Sequence, residues 1–442
     1  MQNEPEAIQL PDRSRTVSTW ADPFILCAVI VAVYLDLSPL KITTTVLAAC
    51  IVAASMLAMG GLEWRRAQRF AGNYSLKGNL GHFVTAWLGT MVGLGLVTLA
   101  WCTLSEYRFS TYAPLWQMLP YVLAFSPIAA GIAIALGDHQ FGASKRGGYQ
   151  LGLIARGELS DIDWPLLRDD LLTWFIRGFF LPINFTTLVG SIDLFRGKEI
   201  AVLSGSFAYN EYYLLTMIYA VIIAAVTPGY LFGTRFIRTE TKAVLSSFFG
   251  WTVTLMCYPP FWDATLHWFN YYAYTPNPDW MEPWANLLQN SPFWLATVGI
   301  AITIFSLIHL WGEAQFGIRS SNLSNRGIIT VGPYRFSKHP VYIAKCFAWS
   351  LVWMPFAAGG NALEDVRLTA LFLCVCVIFF LRSLAEEKLL SSDETYVAYA
   401  LWIDEHGVFS YLGRLIPPLS FRWRLQYWRE TSKSAASPTV SF

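Results

Sequence analysis

The stretch Gly332-Pro333-Tyr334-Arg335-Phe336-Ser337-Lys338-His339-Pro340-Val341-Tyr342 precedes a long apolar run and follows a basic polar loop. Pro333 and Pro340 break a continuous helix, and Pro340 suits the first turn of the helix that follows. Gly332 permits unusual dihedrals and a close backbone approach to a guest. The stretch therefore reads as a short polar platform feeding a hydrophobic helix over 340–358. A second helix, 367–381, returns and continues as Arg382-Ser-Leu-Ala-Glu386-Glu387-Lys-Leu-Leu, with Tyr396 and Tyr399 beyond. One helix out and one back place both polar segments on the same side of a membrane. Arg382 and Glu386, four apart, share a helical face, and Glu387 lies beside it.

The rest of the chain supports the membrane reading. Apolar residues make up 55% of the 442 and charged residues only 14%, against about 25% in soluble chains. Mean hydropathy is +0.41. A span takes about 20 mostly apolar residues. Candidates lie near 23–40, 42–60, 82–101, 115–136, 171–190, 212–232, 243–262, 293–311, 340–358 and 367–381. Trp64, Trp101, Trp262 and Trp311 fall near their ends, where interfacial belts form. The expectation is an all-α, polytopic helical membrane protein of about ten transmembrane helices.

Charge orients it. Arg65, Arg66 and Arg69, then Lys145, Arg146 and Arg156, then Arg235 and Arg238, then Arg319, Arg326 and Arg335 mark alternate connections. The intervening connections carry few cations, and 263–291 has none. This positive-inside pattern predicts both termini in the cytoplasm. The localisation expected is a bacterial inner membrane or its equivalent. A net charge of +1 and the absence of a recognition motif exclude a nucleic-acid reading. Seven cysteines without zinc-ligand spacing read as small buried hydrophobes, with neither metal nor disulfides. The polar start, with Glu4, Glu6 and Asp12, does not read as a cleavable signal peptide.

Five regions follow. Residues 1–20 are a polar tail, and 21–210 an N-terminal transmembrane region without an assigned role. Residues 211–405 form a transmembrane region carrying the polar motifs. The segment 406–430 either lies along the membrane surface or covers those motifs, and 431–442 is expected to be disordered.

The run Arg326-Gly-Ile-Ile-Thr-Val-Gly332-Pro-Tyr-Arg-Phe-Ser-Lys-His339-Pro-Val-Tyr342 precedes an Arg-x-x-x-Glu-Glu-x-x-Leu motif and a Tyr-x-x-Tyr motif. In order and spacing it resembles the isoprenylcysteine carboxyl methyltransferase and phospholipid methyltransferase-like integral membrane methyltransferases, over roughly 295–405. The resemblance implies S-adenosylmethionine at the cytoplasmic face and a lipid or prenylated acceptor entering from the bilayer. It implies that His339, Pro340, Tyr342 and the backbone near Gly332 and Tyr334 hold the methionine end. Glu386 and Glu387 would contact the cofactor's polar groups, with Glu386 or His339 as base for an amine acceptor. Arg382 would orient a carboxylate acceptor. The chain departs from the family pattern at Lys338, Ala344 and Ser392-Asp393, which leaves the acceptor open. Membrane sterol reductases, which use a nicotinamide cofactor (NADPH), resemble the same helices. A non-catalytic lipid-binding or transport protein is the third reading.

Further polar residues stand out. Lys345 and Arg177 lie inside their spans and are candidates for an anionic lipid headgroup, or for snorkelling. His309 and Glu313 either line the pocket or form an interfacial pair. His82, His267 and His406 read as structural. Gly142-Ala-Ser-Lys-Arg-Gly-Gly148 reads as a flexible loop rather than a phosphate site, and Gly89, Gly93 and Gly95 as helix-packing positions.

Overall fold

The computed structural model describes residues 21–72, 74–75, 77–196, 207–231, 233–262, 284, 286–289, 291–357 and 360–436. The N-terminal tail and His267 lie outside them. Fourteen α-helices follow one another among the described residues. The N-terminal set is α1 (Asp22–Leu37), α2 (Thr44–Ala67), α3 (Leu80–Thr103), α4 (Ala113–Phe141), α5 (Tyr149–Arg156) and α6 (Trp164–Phe195). Next come α7 (Phe207–Leu231), α8 (Phe248–Leu255), α9 (Pro292–Phe316), α10 (Pro340–Trp353) and α11 (Ala362–Leu390). The last three are α12 (Glu394–His406), α13 (Ser410–Leu415) and α14 (Phe421–Ala436).

Seven helices among the described residues are long and apolar enough to cross a membrane: α2, α3, α4, α6, α7, α9 and α11. Three of the roughly ten expected spans are not among these seven. Helix α1 has 16 residues and α10 only 14, short of the roughly 20 that a span takes. The third, 243–262, is not one helix. Ala243–Val244 (β1) pairs antiparallel with Ser324–Asn325 (β2), Ala243 opposite Asn325. Ser247 then caps the eight-residue α8 by accepting from the Gly250 amide. Pro259 and Pro260 follow and have no N–H with which to continue a helix.

Helix α7 is the axis of the bundle, with 61% of its apolar window buried, whereas α4 is peripheral at 11%. The largest core joins Leu26, Leu47, Ile51, Leu188, Ala224 and Ile318, and so draws on α1, α2, α6, α7 and the end of α9. Glycines let α3 approach α5 and α6 closely. A Cβ on Gly89 would lie 1.8 Å from the Gly148 carbonyl oxygen, and one on Gly93 would lie 2.1 Å from Trp174. Gly95, grouped with them in sequence, faces open space.

The C-terminal segment is helical through Ala436, so the disorder expected from 431 does not hold for 431–436; residues 437–442 lie outside the described set. Phe421 of α14 is fully buried among Tyr396, Tyr399 and Ile403.

Candidate functional site

The platform is shaped by its glycine and pinned by a tyrosine. Gly332 has φ +64°, and a Cβ there would lie 2.7 Å from the Gln315 amide nitrogen. Only glycine suits that conformation and that approach. The chain then makes a 3-10 turn over Gly332–Arg335. Tyr399 Oη donates to the Tyr334 carbonyl at 2.6 Å, so the Tyr-x-x-Tyr motif fixes the turn from α12. Burial, reinforced by nearby carboxylates, pushes the Tyr334 phenol well above its ordinary range and keeps it neutral.

His339 ends the platform and Pro340 opens α10. The His339 ring stacks on Tyr342 with centroids 5.8 Å apart, and its Nε2 lies 3.0 Å from Glu387 Oε1. Tyr342 donates its hydroxyl to Glu386 Oε1, which also accepts from Arg382 Nε at 3.2 Å. The neighbouring glutamates therefore face different ways. Glu386 turns toward a cavity of about 150 Å³ bounded by Glu313, Asn322, Tyr334, His339 and Arg382. Glu387 is not among the walls of that cavity. It is 2% exposed and meets Lys338 Nζ at 3.5 Å, His339 and Arg424 Nη2. Lys338 also bonds Asp404 at 2.9 Å, and Asp404 accepts from Ser420 and the Arg422 amide. Glu387 thus ties α14 to the platform.

Arg382 is 5% exposed, and each guanidinium nitrogen has a protein acceptor. Nε bonds Glu386, Nη1 lies 3.4 Å from Tyr258 Oη, and Nη2 lies 2.6 Å from Asn322 Oδ1. Asn322 also donates Nδ2 to Tyr258 at 3.0 Å, and its amide donates to Tyr230 Oη at 3.1 Å. Tyr230, Tyr258 and Asn322 were not singled out from sequence. The polar run Ser320-Ser-Asn-Leu-Ser-Asn325 was a visible signal for Asn322; nothing local marks the two tyrosines, each in an apolar stretch.

The cavity also holds Glu313, from α9, and Arg326. Arg326 is 3% exposed; Nη1 donates to the Gly229 carbonyl, while Nε and Nη2 have no hydrogen-bond partner. Burial pulls its guanidinium down to about 9, with Arg177 adding to the shift.

The other candidates separate. His309 is buried at the back of α9, T-shaped against Tyr219 and 3.9 Å from Glu313, and is not among the cavity walls; Glu313 is. Lys345 Nζ sits 4.4 Å from the Trp349 ring and 5.0 Å from Phe379, in a slot between α10 and α11. Arg177 lines a second cavity among α3, α4 and α6, whose walls do not include Lys345. The expected shared headgroup site of these two cations is therefore not formed.

A family described as a protein of unknown function, DUF1295, matches residues 284–402. No curated protein and no solved structure matches the chain. The matched stretch contains Glu313, Asn322, the Gly332 platform, Arg382, Glu386 and Glu387, and leaves Tyr230, Tyr258 and Arg424 outside.

Proposed function

We propose that the chain is an integral membrane methyltransferase that uses S-adenosylmethionine on a lipid-like or isoprenylated acceptor at the cytoplasmic face. The observation that carries this reading is the charge inventory of one cavity: carboxylates from two helices, Glu313 and Glu386, with the guanidinium of Arg326 among its walls. The donor's sulfonium and ammonium groups need carboxylates, and its own carboxylate needs a guanidinium. When bound, S-adenosylmethionine supplies a methyl group on a positively charged sulfur. Glu386 is oriented by Tyr342 and Arg382 and is the side chain placed to hold that charge or to accept an amine proton. Arg382, whose nitrogens bond Glu386, Tyr258 and Asn322, positions Glu386, and its two remaining N–H donors are left for an anionic acceptor. His339 and Tyr342 wall the cavity and exclude water, leaving positioning and desolvation to lower the barrier.

Arg326 also gives the nicotinamide-dependent reductase its one specific support, because a guanidinium in the cavity wall suits a phosphate. Calorimetric titration of the nanodisc-embedded protein with S-adenosylmethionine, S-adenosylhomocysteine and NADPH separates the two. We expect both adenosyl compounds to bind and both His339→Ala and Glu386→Ala to abolish that binding. NADPH binding alone would replace the methyltransferase with the reductase. Binding of none, with lipid supplied, would favour a non-catalytic lipid protein.

A further inference from the structure

The second cavity belongs to helices outside the matched family, and its walls are ordered by depth. It encloses about 250 Å³. Its deep part is apolar, with Met91, Leu94 and Val97 from α3, Ala130 and Ala133 from α4, and Leu181 from α6. Its loop end is polar, with His82, Asp138, Arg146, Arg235, Asp170 and Glu240, and Arg146 pairs with Asp169 at 3.7 Å. Most of these charges are already spent within the protein. His82 Nδ1 lies 2.6 Å from Asp138, and Arg235 bonds Asp138 and the Phe141 carbonyl.

Three groups are left over. Asp170 is 7% exposed; the amides of Gly147, Gly148 and Gln150 donate to its carboxylate, yet Oδ2 has no hydrogen-bond partner. Glu240 Oε2 has none either. Arg177 Nη2 donates to the Gly233 carbonyl at 3.2 Å, but its buried Nε has no acceptor. Buried polar atoms without partners are costly and uncommon, so these three charged groups, with Ser126 Oγ and Thr234 Oγ1 on the same walls, call for an occupant.

Depth selects its chemistry. Asp170 and Arg177 are seven residues apart and share one face of α6, roughly 10 Å apart along the axis. Along α6 the cavity presents an apolar wall, then the cation Arg177 and, nearer the helix start, the carboxylate Asp170, while Glu240 comes from the loop after α7. An amphiphile meeting that order carries an apolar chain, then an anion, then an ammonium. We propose that this cavity is a binding site for a zwitterionic aminophospholipid. Its phosphate lies at Arg177 and its ammonium at Asp170 and Glu240. The cavity takes the headgroup and the start of a chain. The remaining chain lies in the bilayer against the exposed face of α4, at Phe125, Ile128 and Ile132. The site does not depend on methyl transfer in the other cavity.

The test is native mass spectrometry of the full chain, offered dioleoyl phosphatidylethanolamine, dioleoyl phosphatidylglycerol or dioleoylglycerol. We expect roughly tenfold stronger retention of the ethanolamine lipid, about 1.4 kcal/mol. Asp170→Asn should remove that preference. Ala133→Leu, which fills the apolar part without touching a charge, should lower retention of all three. His339→Ala should leave retention unchanged, which separates this site from the proposed methyl-donor site. Equal retention of the three lipids overturns the proposal, as does a preference that survives Asp170→Asn or follows His339→Ala.

Discussion

Two adjacent glutamates carry opposite duties. Glu386 borders the cavity, while Glu387 is buried against Lys338, His339 and Arg424. Removing one charge from a buried ion cluster leaves the others uncompensated, which costs about 3–5 kcal/mol. We therefore expect Glu387→Gln to destabilise the protein by about 3 kcal/mol and to loosen α14, seen as a lower thermal midpoint and faster proteolysis after Phe409. Glu386→Gln keeps its hydrogen bonds to Tyr342 and Arg382. Glu386 is itself a quarter exposed, so the change should cost less stability than Glu387→Gln while reducing ligand binding. Equal destabilisation by the two would show that both are structural. Sequence spacing put the pair on one helical segment beside Arg382, and that much was legible. Which carboxylate faces the cavity was not, because it depends on Arg424, 37 residues downstream, reaching back to Glu387.

At the scale of elements, periodicity and length located helices well where the whole segment is apolar and unbroken. They failed over 243–262, where apolar composition concealed a different use. There Leu245 bonds Leu323 across a short ladder, and Tyr258 turns its hydroxyl to Asn322 and Arg382. A hydropathy window records the burial but not the partner. The glycines of α3 show the same limit. A Cβ on Gly89 meets backbone at 1.8 Å, so Gly89→Ala has to move α5, at an expected cost of about 2 kcal/mol or more. Gly95 has nothing within 4 Å of a built Cβ, so Gly95→Ala should be neutral or stabilise by about 0.5 kcal/mol. Unfolding of the two variants in detergent checks this. A tolerant Gly89→Ala would mean that α3 and α5 do not pack as closely as the structure has them.

At the scale of the whole molecule, the N-terminal helices are part of the site's foundation. Arg319, at the end of α9, is 7% exposed and its carboxylate partner comes from α2. Nε and Nη2 meet Glu63 at 3.1 and 2.7 Å, and Glu63 also accepts from Arg66, which pairs with Asp22 of α1 at 2.5 Å. Arg319 Nη1 donates to the carbonyls of Arg238 and Arg326, both at 2.7 Å, and so ties down the loop that carries Arg326 into the candidate cavity. Glu63→Leu leaves a buried guanidinium unpaired, with an expected loss of about 3 kcal/mol. Pairing it with Arg319→Leu removes that uncompensated charge and should recover part of the loss, giving a coupling of about 1 kcal/mol or more in a double-mutant cycle. Ligand affinity offers an independent readout. Because the Arg326 loop hangs on Arg319, Glu63→Leu should weaken S-adenosylmethionine binding roughly tenfold, although α2 supplies no wall of that cavity. Additive stabilities together with unchanged affinity would mean that the N-terminal helices merely adjoin the motif-bearing region.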